Sequence, residues 1–310
     1  MHVIDNATGT CNTRAVMPST VIRGVVVLLC VFAWPLLSAT IAHAASSPKI
    51  VVIVEENKAY SAIVGSPNAP YINSLISSGK LFTNYSAITG GSLHDYLAMT
   101  SGLTTDQSPP AANLFQAIDQ SGGLVSWISF QESMVKNCGV GSKAVVPGTS
   151  VRLYTKGHDP AWHYRLNASC AQHDVPMTTA TFNPVSLPQF SYVVPNECNN
   201  MHTFPSSGTS CPAFFGTNSG PNATRMGDNW LQSVVPQLLA QPNVTVFVTF
   251  DESGKGSQRV ATVMAGAGVT PGSTDTHAYN HYGLLAGLYA KFGLGTAPNN
   301  AATATPVPLP

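Results

Sequence analysis

Two segments of the chain combine a short run of strand-forming apolar residues with an abrupt acidic or amide end: Lys49–Asn57 and Val244–Glu252. Runs this short and this rich in Val, Ile and Phe are typical of strands buried on both faces of a parallel sheet. In open α/β sheets, ligands bind at the carboxyl ends of such strands. Carboxylate and amide oxygens at that edge are ligands suited to a divalent cation. The alternative is that these acids only begin solvated loops.

The rest of the apolar pattern alternates between strand and helix. Apolar positions at helical spacing, or a capping residue, predict the helices Tyr71–Ser78, Leu93–Thr100, Asn113–Gln120, Asp228–Leu239 and His281–Phe292. Short apolar runs predict the further strands Leu81–Thr83, Val125–Phe130, Phe190–Val194 and Val260–Ala265. Residues 131–189 and 203–225 are expected to be long irregular loops. The alternation predicts one α/β domain with a central, mostly parallel sheet and helices on both faces.

The N-terminus has the three-part layout of a secretory signal peptide. Arg14 and Arg23 precede the apolar stretch Val25–Trp34, and small residues follow at Ala42 and Ala44. The apolar stretch is shorter than the roughly 20 residues that a membrane span needs. We therefore expect residues 1–44 to be removed, with Met17 as an alternative start that gives a more compact signal. The mature, secreted chain would then hold a domain at 45–295 and a disordered Ala/Thr/Pro-rich tail at 296–310, without a transmembrane segment.

Charge and cysteine content fit a secreted protein. The formal net charge is zero, only 9% of residues are charged, and the absence of a basic run argues against nucleic acid as a partner. Four cysteines lie outside the predicted signal, an even number in an oxidising compartment. Three pairings are possible, and we favour Cys138–Cys170 with Cys198–Cys211, which staple the two long loops locally. The rival reading, a zinc site, lacks the usual close cysteine spacing.

Ser92 is the strongest candidate nucleophile. Gly90 and Gly91 place it in a sharp turn, and the helix that follows directs backbone N–H groups and a positive dipole end toward it. That environment favours an anion such as phosphate beside the hydroxyl. The alternative is that Ser92 simply caps the helix, a role that serine often fills.

Three histidines, His158, His202 and His281, lie at loop or element ends rather than on an apolar stripe. Each taken singly could be structural or surface-exposed. Together with Ser92 and the acidic strand ends, they predict a phosphoryl-transfer site. A metal there would lower the pKa of the serine hydroxyl and hold a phosphoryl oxygen. The histidines would bind the non-bridging oxygens or protonate the leaving group.

Competing chemistries have weaker support. Ser92 is not in a Gly-x-Ser-x-Gly turn, and the sequence contains neither a Walker loop nor a Rossmann fingerprint. A pair of glycosidase carboxylates stays open, because any two acids can meet in the folded chain.

An ordered set of motifs resembles one known family. In chain order the motifs are Val51–Tyr60, Pro70–Leu75, Ser92–Ala98, Tyr154–Pro160, Val194–Asn196, Gly227–Leu231, Thr249–Glu252 and His281–Tyr282. This set resembles the phosphoesterase family of secreted acid phosphatases and phospholipases C, within the alkaline-phosphatase-like superfamily. The resemblance covers residues 49–294 and implies the same α/β fold.

The resemblance also implies roles for individual residues. The ligands it implies for a divalent metal ion are Glu56, Asn57, Asp251 and Glu252. Ser92 matches the nucleophile, which would form a phosphoserine that water later releases. His158, His202 and His281 match histidines that line the phosphate site. Asp228 matches a recurrent Gly-Asp-x-Trp-Leu element to which the resemblance assigns no role.

This chain departs from the family pattern at two places. The family has His-Pro-Ser-x-Pro-Asn around the nucleophile, whereas Gly90 replaces the histidine here, with His94 close enough to compensate. The family's Asn-Asp-x-His-Asp has lost two carboxylates, at Asn200 and Thr203. These changes bear on the metal complement, the pH optimum and the turnover.

The sequence therefore predicts a secreted, metal-dependent phosphoric-ester hydrolase, and we favour a phosphomonoesterase over a phospholipase C. Its substrate would be a phosphorylated small molecule or a phospholipid headgroup. Two alternatives remain: a phospholipase C-type phosphodiesterase, and a catalytically impaired relative that binds a phosphorylated ligand.

Overall fold

The structure, a computed structural model, describes residues 47–108, 110–139, 152–202, 211, 220–254 and 258–310. The predicted signal peptide, residues 1–44, lies outside this range. The strands are β1 Lys49–Glu55, β2 Lys80–Phe82, β3 Tyr85–Ser86, β4 Trp127–Glu132, β5 Asp174–Met177, β6 Phe190–Val194, β7 Val244–Phe250, β8 Thr262–Gly266, β9 Ser273–Asp275 and β10 Tyr279–Asn280. The α-helices are α1 Tyr60–Ile63, α2 Pro70–Ser78, α3 Ser92–Ser101, α4 Leu114–Asp119, α5 Pro160–His163, α6 Cys170–His173, α7 Gly220–Leu239 and α8 His281–Phe292.

Eight strands form one sheet in the order β5-β4-β6-β1-β7-β8-β2-β9. Every neighbouring pair is parallel except the two that involve β8, which runs antiparallel to β7 and to β2. The sheet is therefore mostly parallel, as the alternating pattern predicts. Its central strands are buried along their length, and β7 carries seven buried residues in succession. That burial explains why β1 and β7 read as continuous apolar runs instead of alternating ones.

Helices cover the sheet in two groups. Helix α7 packs on β7 and on α2, whereas α3 packs against α4 and α8. Asn113 caps α4 as predicted, because its side chain accepts a hydrogen bond from the Gln116 backbone N–H. Asn280 caps α8 in the same way through Gly283. The predicted α/β architecture with helices on both faces is confirmed.

Two segments expected to be irregular contain regular structure. Helix α7 begins at Gly220, eight residues before the predicted start at Asp228. Tertiary contacts stabilise the added turns, because Ala223, Thr224, Met226 and Gly227 are buried and Gly227 lies against the Asn199 carbonyl. Residues 131–189 contribute β5, which pairs in parallel with β4 and forms the edge of the sheet. The local sequence predicts neither the early start of α7 nor strand β5, because both depend on contacts with residues far away in the chain.

The expectation that the tail 296–310 is disordered is wrong. A short 3₁₀ helix spans Asn299–Thr303, and Val307 is buried. The Val307 backbone N–H donates to the Gly283 carbonyl at 2.9 Å. At Gly283 and Gly287 of α8, the tail backbone approaches so closely that an added Cβ would lie within 2.5 Å of it. The tail therefore packs on α8 at Gly283 and Gly287, where the absence of a side chain leaves space for its backbone.

The favoured cysteine pairing is confirmed. Disulfides join Cys138 to Cys170, 32 residues apart, and Cys198 to Cys211, 13 residues apart. Within the described residues, no helix combines the length and the apolar character that crossing a membrane requires.

Candidate active site

The two acidic strand ends meet at one edge of the sheet. Glu55 is in register with Phe250, and the Asp251 backbone N–H donates to the Glu55 carbonyl at 2.9 Å. The chain turns sharply after β1, where Asn57 adopts the left-handed conformation with φ 55°. The Asp251 side chain holds this turn, since its Oδ1 accepts from the backbone N–H of Asn57 at 2.9 Å. The same oxygen accepts from the Glu252 backbone N–H at 2.6 Å.

Helix α3 presents two hydroxyl groups to Glu56. Ser92 Oγ donates to Glu56 Oε2 at 3.0 Å, and Tyr96 OH donates to Glu56 Oε1 at 2.8 Å. The two residues are four positions apart and so lie on the same face of the helix. The N-cap of α3 is Gly91, and no side chain caps the helix. Ser92 is therefore not a capping residue, and its hydroxyl points at the acidic strand end.

The turn before Ser92 is built by Asp95, a residue that the sequence analysis did not single out. Its Oδ1 accepts from the backbone N–H groups of Ile88 and Thr89, at 2.7 and 3.1 Å. Its Oδ2 accepts from the Thr89 hydroxyl at 2.7 Å. Asp95 occupies the place of Asn in the family pattern, and a carboxylate can accept all three of these bonds. The nucleophile turn is thus anchored to the helix that follows it.

Burial perturbs the acids of this site. Burial raises the pKa of Glu56 to about 8, and it raises the pKa of Glu252 to about 7, with the Asp251 charge as a second cause. Burial and the adjacent Glu56 carboxylate raise the pKa of Asp251 well above its usual range. Asp251 Oδ2 is buried, and no described residue forms a hydrogen bond with it. Two buried carboxyl groups in contact, one with an orphaned oxygen, form a site that a cation would stabilise.

The residues present fit a divalent cation. Glu56 and Asp251 offer hard-oxygen ligands, and the Ser92 hydroxyl lies beside Glu56. The Asn57 amide donates from Nδ2 to Glu56 Oε2 at 2.9 Å, and rotation of this amide would present its oxygen to a cation instead. Glu252 is buried, but its Oε2 lies 3.5 Å from where a Cβ on Gly90 would stand, so its carboxylate extends toward the nucleophile turn.

In the part of the chain that the structure describes, no three of the predicted acidic and histidine ligands bring their ligand atoms within 4.8 Å of one another. Among the described residues, the one group of three His, Cys, Asp or Glu ligand atoms within 4.8 Å of one another is Cys138, Cys170 and Asp174. Its two sulfurs form a disulfide and are not available to a metal.

His158 lies at the candidate site. Its Nε2 is 3.3 Å from Glu56 Oε1, and its Nδ1 is 2.9 Å from Glu197 Oε1. Its ring stacks on Tyr96 with a centroid distance of 5.3 Å and an interplanar angle of 14°. Tyr96 and Glu197 were missed by the sequence analysis. The position of Tyr96 one helical turn after Ser92 is a signal that could have identified it.

His281 takes a supporting position. Its ring is fully buried, and Nε2 lies 2.6 Å from the Asp251 carbonyl oxygen. Because a carbonyl only accepts, Nε2 carries the proton, and Nδ1 then accepts from Tyr85 OH at 3.1 Å. Burial lowers the pKa of His281. Instead of lining an open phosphate site as the resemblance implies, this neutral histidine holds the Asp251 backbone in place.

The other two predicted histidines, His94 and His202, lie on segments next to the site. His94 is exposed, and its Nδ1 would lie 3.3 Å from a Cβ on Gly91, so its ring covers the glycine next to Ser92. His202 is half-buried, and its backbone N–H donates to Asn200 Oδ1 at 2.9 Å. The Asn200 carbonyl accepts from the Glu56 backbone N–H at 2.7 Å. This turn therefore ties His202 to the first acidic strand end.

The departures from the family pattern have local explanations. Asn200 is buried, and its amide oxygen still accepts the bond from His202, so the loss of a carboxylate there preserves the turn. The space above Gly90, where the family histidine would stand, faces Glu252 and Gln258. Thr203 lies outside the described residues. Lys58, also missed, is buried and donates to the Met201 carbonyl at 2.5 Å, which links the same turn to the loop after β1.

Solved structures confirm the fold class. A protein of the alkaline phosphatase superfamily from Vibrio parahaemolyticus superposes with a TM-score of 0.55 at 10% identity, covering 85% of this chain and 71% of that one. A lipoteichoic acid synthase from Listeria monocytogenes gives a TM-score of 0.55 at 9% identity, covering 84% and 77%. The described fold is therefore alkaline-phosphatase-like.

Sequence comparisons give the family. The phosphatidylinositol-3-phosphatase of Mycobacterium tuberculosis is 30% identical over 261 residues, 79% of this chain and 77% of that protein. The phosphate-repressible acid phosphatase of Penicillium chrysogenum is 27% identical over 248 residues, 72% of this chain and 54% of its own length. The chain thus spans about half of that fungal relative. Residues 66–295 match the Phosphoesterase family. The chain therefore belongs to the phosphoesterase family.

Proposed function

We propose that this protein is a secreted, metal-dependent phosphomonoesterase that acts through a phosphoserine on Ser92. Family membership gives phosphoric-ester hydrolysis as the reaction class. Similar proteins named as phosphatases, in Mycobacterium tuberculosis and Penicillium chrysogenum, favour monoesters over diesters. The two disulfides fit an extracellular protein.

The observation that carries the proposal is the hydrogen bond from Ser92 Oγ to Glu56 Oε2, at the strand end shared with Asp251. It places the one hydroxyl at the start of α3 against the paired carboxyl groups. Backbone N–H groups in the first turn of α3 are oriented to bind phosphoryl oxygens. A hydroxyl, an anion-binding helix end and a cation-binding acid pair are the parts that phosphoryl transfer to serine requires.

Each group has a role in this scheme. A divalent cation held by Glu56, Asn57 and Asp251 would supply the positive charge that acidifies the Ser92 hydroxyl and offsets the charge of the phosphoryl group. Ser92 Oγ attacks phosphorus, the ester oxygen leaves with a proton, and water later cleaves the phosphoserine. His158 lies on the same Glu56 carboxylate as Ser92 and would bind a phosphoryl oxygen or protonate the leaving group. His281 keeps Asp251 in position through its carbonyl.

The test uses two chromogenic esters. The purified protein is assayed on p-nitrophenyl phosphate and on p-nitrophenyl phosphorylcholine across pH 4–9, with divalent metals and with a chelator. We expect faster turnover of the monoester, loss of activity with chelator and recovery on adding metal. Preference for the phosphorylcholine ester would favour the phosphodiesterase alternative. Turnover of neither ester would favour the impaired, ligand-binding alternative and reject the enzyme.

Ser92→Ala tests the nucleophile. We expect it to lower kcat by about 10³-fold or more, since a covalent route without its nucleophile keeps only the contribution of binding and electrostatics. Ser74→Ala is the matched control, because Ser74 is exposed on α2 and its hydroxyl donates to the Tyr71 carbonyl of the same helix. Activity that survives Ser92→Ala would reject the phosphoserine while leaving the reaction class in place.

A further inference from the structure

His158 is held on three sides. One ring nitrogen meets Glu56 Oε1 at 3.3 Å, the other meets Glu197 Oε1 at 2.9 Å, and the ring face stacks on Tyr96. The stacking fixes the plane of the ring, and the two carboxyl groups fix its rotation within that plane. Glu56 is also a proposed cation ligand, whereas Glu197 is not one of the proposed ligands. Glu197 is thus a second acid on the far side of the histidine.

The fold keeps Glu197 against His158. Glu197 follows β6, and its backbone N–H donates to the Leu153 carbonyl at 2.9 Å, which joins its loop to the segment that carries His158. His158 and Glu197 both line a small cleft between residues 153–158 and the end of β6. The side chains of His158 and Glu197 are only 12% and 13% exposed. The contact is therefore direct and largely shielded from solvent, which strengthens a hydrogen bond between them.

A different acid, Glu132, holds the loop after β6 in place. Glu132 accepts the Asn196 backbone N–H at 2.8 Å and the Asn199 amide at 2.9 and 3.0 Å. The Glu197 carboxylate, by contrast, contacts the His158 ring. The two glutamates lie at the same end of the sheet but make different contacts. Glu132 binds the backbone and side chains of the loop, whereas Glu197 contacts a residue of the candidate site.

We propose that Glu197 is a positioning residue for phosphoryl transfer and that it acts through His158. By accepting the proton of Nδ1, it fixes the ring orientation that directs Nε2 toward the phosphoryl group at Ser92. Ser92 Oγ and His158 Nε2 contact the two oxygens of one carboxylate, Glu56, so an ester held at Ser92 lies within reach of Nε2. This inference rests on the proposed function for its catalytic meaning, but the His158–Glu197 contact itself does not.

A double-mutant cycle tests the proposal. Glu197→Gln, His158→Asn and the double variant are compared with the wild type on p-nitrophenyl phosphate. Glu197→Gln is expected to lower kcat by about 10–100-fold, the range seen when the partner of a site histidine is lost, with a smaller change in KM. The double variant is expected to be no slower than His158→Asn alone, because the effect of Glu197 requires His158.

Glu132→Gln is the matched control. It perturbs the same loop without touching His158, so its effect should multiply with that of His158→Asn. If the Glu197→Gln and His158→Asn effects also multiply, or if Glu197→Gln stays within about twofold of wild type, the positioning role is rejected.

A second readout does not need activity. In protein labelled with ¹⁵N-histidine, the Nδ1–H resonance of His158 is identified by its loss in His158→Asn. We expect it to shift in Glu197→Gln and to stay in place in Glu132→Gln. If no ester is turned over, this spectrum still decides the contact, and the proposed function fails separately. If Ser92-dependent hydrolysis is found while the resonance ignores Glu197→Gln, the proposed function stands and the positioning role is overturned.

Discussion

Glu55 and Glu56 are neighbours in sequence and are equally buried, yet the end of β1 gives them opposite surroundings. Side chains of successive strand residues point to opposite faces of a sheet, so the two glutamates face different layers. Glu56 meets hydrogen-bond donors from Ser92 and Tyr96 and lies beside His158. Neither carboxyl oxygen of Glu55 has a hydrogen-bond partner among the residues that the structure describes. One residue is the centre of the candidate active site, and the other belongs to the framework behind it.

On the side of the sheet that Glu55 faces, called here the framework side, Asp228 anchors the start of α2. Its two carboxylate oxygens accept the backbone N–H groups of Tyr71 and Ile72, both at 2.8 Å, at the start of α2. This contact gives a structural role to the Gly-Asp-x-Trp-Leu element that the family resemblance left without one. Asp228 and Glu132 are the acids whose charge acts on Glu55, with Lys58 as the opposing cation.

Burial raises the pKa of both strand-end glutamates, to about 8 for Glu56 and well above the usual range for Glu55. A raised pKa therefore does not separate the two faces, because burial is the main cause on each. The groups that surround each glutamate do distinguish the two faces. A hydroxyl nucleophile, a stacked histidine and a second carboxyl group surround Glu56, and such convergent groups indicate a reactive site.

The largest expected effect compares the two glutamates directly. Glu56→Gln is expected to lower kcat on p-nitrophenyl phosphate by about 10³-fold, because it removes a cation ligand and the acceptor for Ser92. Glu55→Gln should leave kcat within about threefold, since Glu55 does not touch the reacting groups. Steady-state kinetics with saturating metal make the measurement. Equal losses in the two variants would show that the faces are not functionally distinct.

The second effect concerns stability and pH in metal-free protein. Because the folded pKa of Glu55 is raised, the stability linked to its proton is fully present below about pH 4.5, the value of an ordinary glutamate, and is lost as pH rises toward the folded pKa. Glu55→Gln removes this loss. Urea unfolding at pH 5 and pH 8 with chelator should therefore show a smaller decline for the variant, by up to about 1.4 kcal/mol per pH unit. Parallel curves would mean that Glu55 does not titrate with folding.

The smallest effect tests the framework side alone. Asp228→Ala is expected to lower the free energy of unfolding by about 1–2 kcal/mol, because α2 loses the acceptor for two N-terminal N–H groups. Asp228→Asn, which keeps one acceptor oxygen, should lose less. Both variants should retain the kcat of the wild type at a temperature where they are folded. A drop in kcat without a change in stability would place Asp228 in the chemistry instead.

Much of this arrangement is readable along the chain. The apolar runs of β1 and β7, the cap at Asn113 and the bounds of α8 follow from local patterns, because each depends on residues close in sequence. The nucleophile turn and the acidic strand ends are visible for the same reason. The helix start at Gly220, the edge strand β5 and the packed tail were not predicted, because their stability comes from contacts with distant segments.

The sequence by itself determined that acids follow two buried strands and that Ser92 opens a helix, since both are properties of neighbouring residues. Only the tertiary structure decided which of two adjacent glutamates meets Ser92, because side-chain direction depends on the register of β1 in the sheet. The tertiary structure also gave the two histidines different surroundings. His158 lies between two carboxyl groups, whereas His281 is buried and hydrogen-bonds to the Asp251 carbonyl. Motif spacing cannot make that distinction, since the partners that define each histidine come from different parts of the chain.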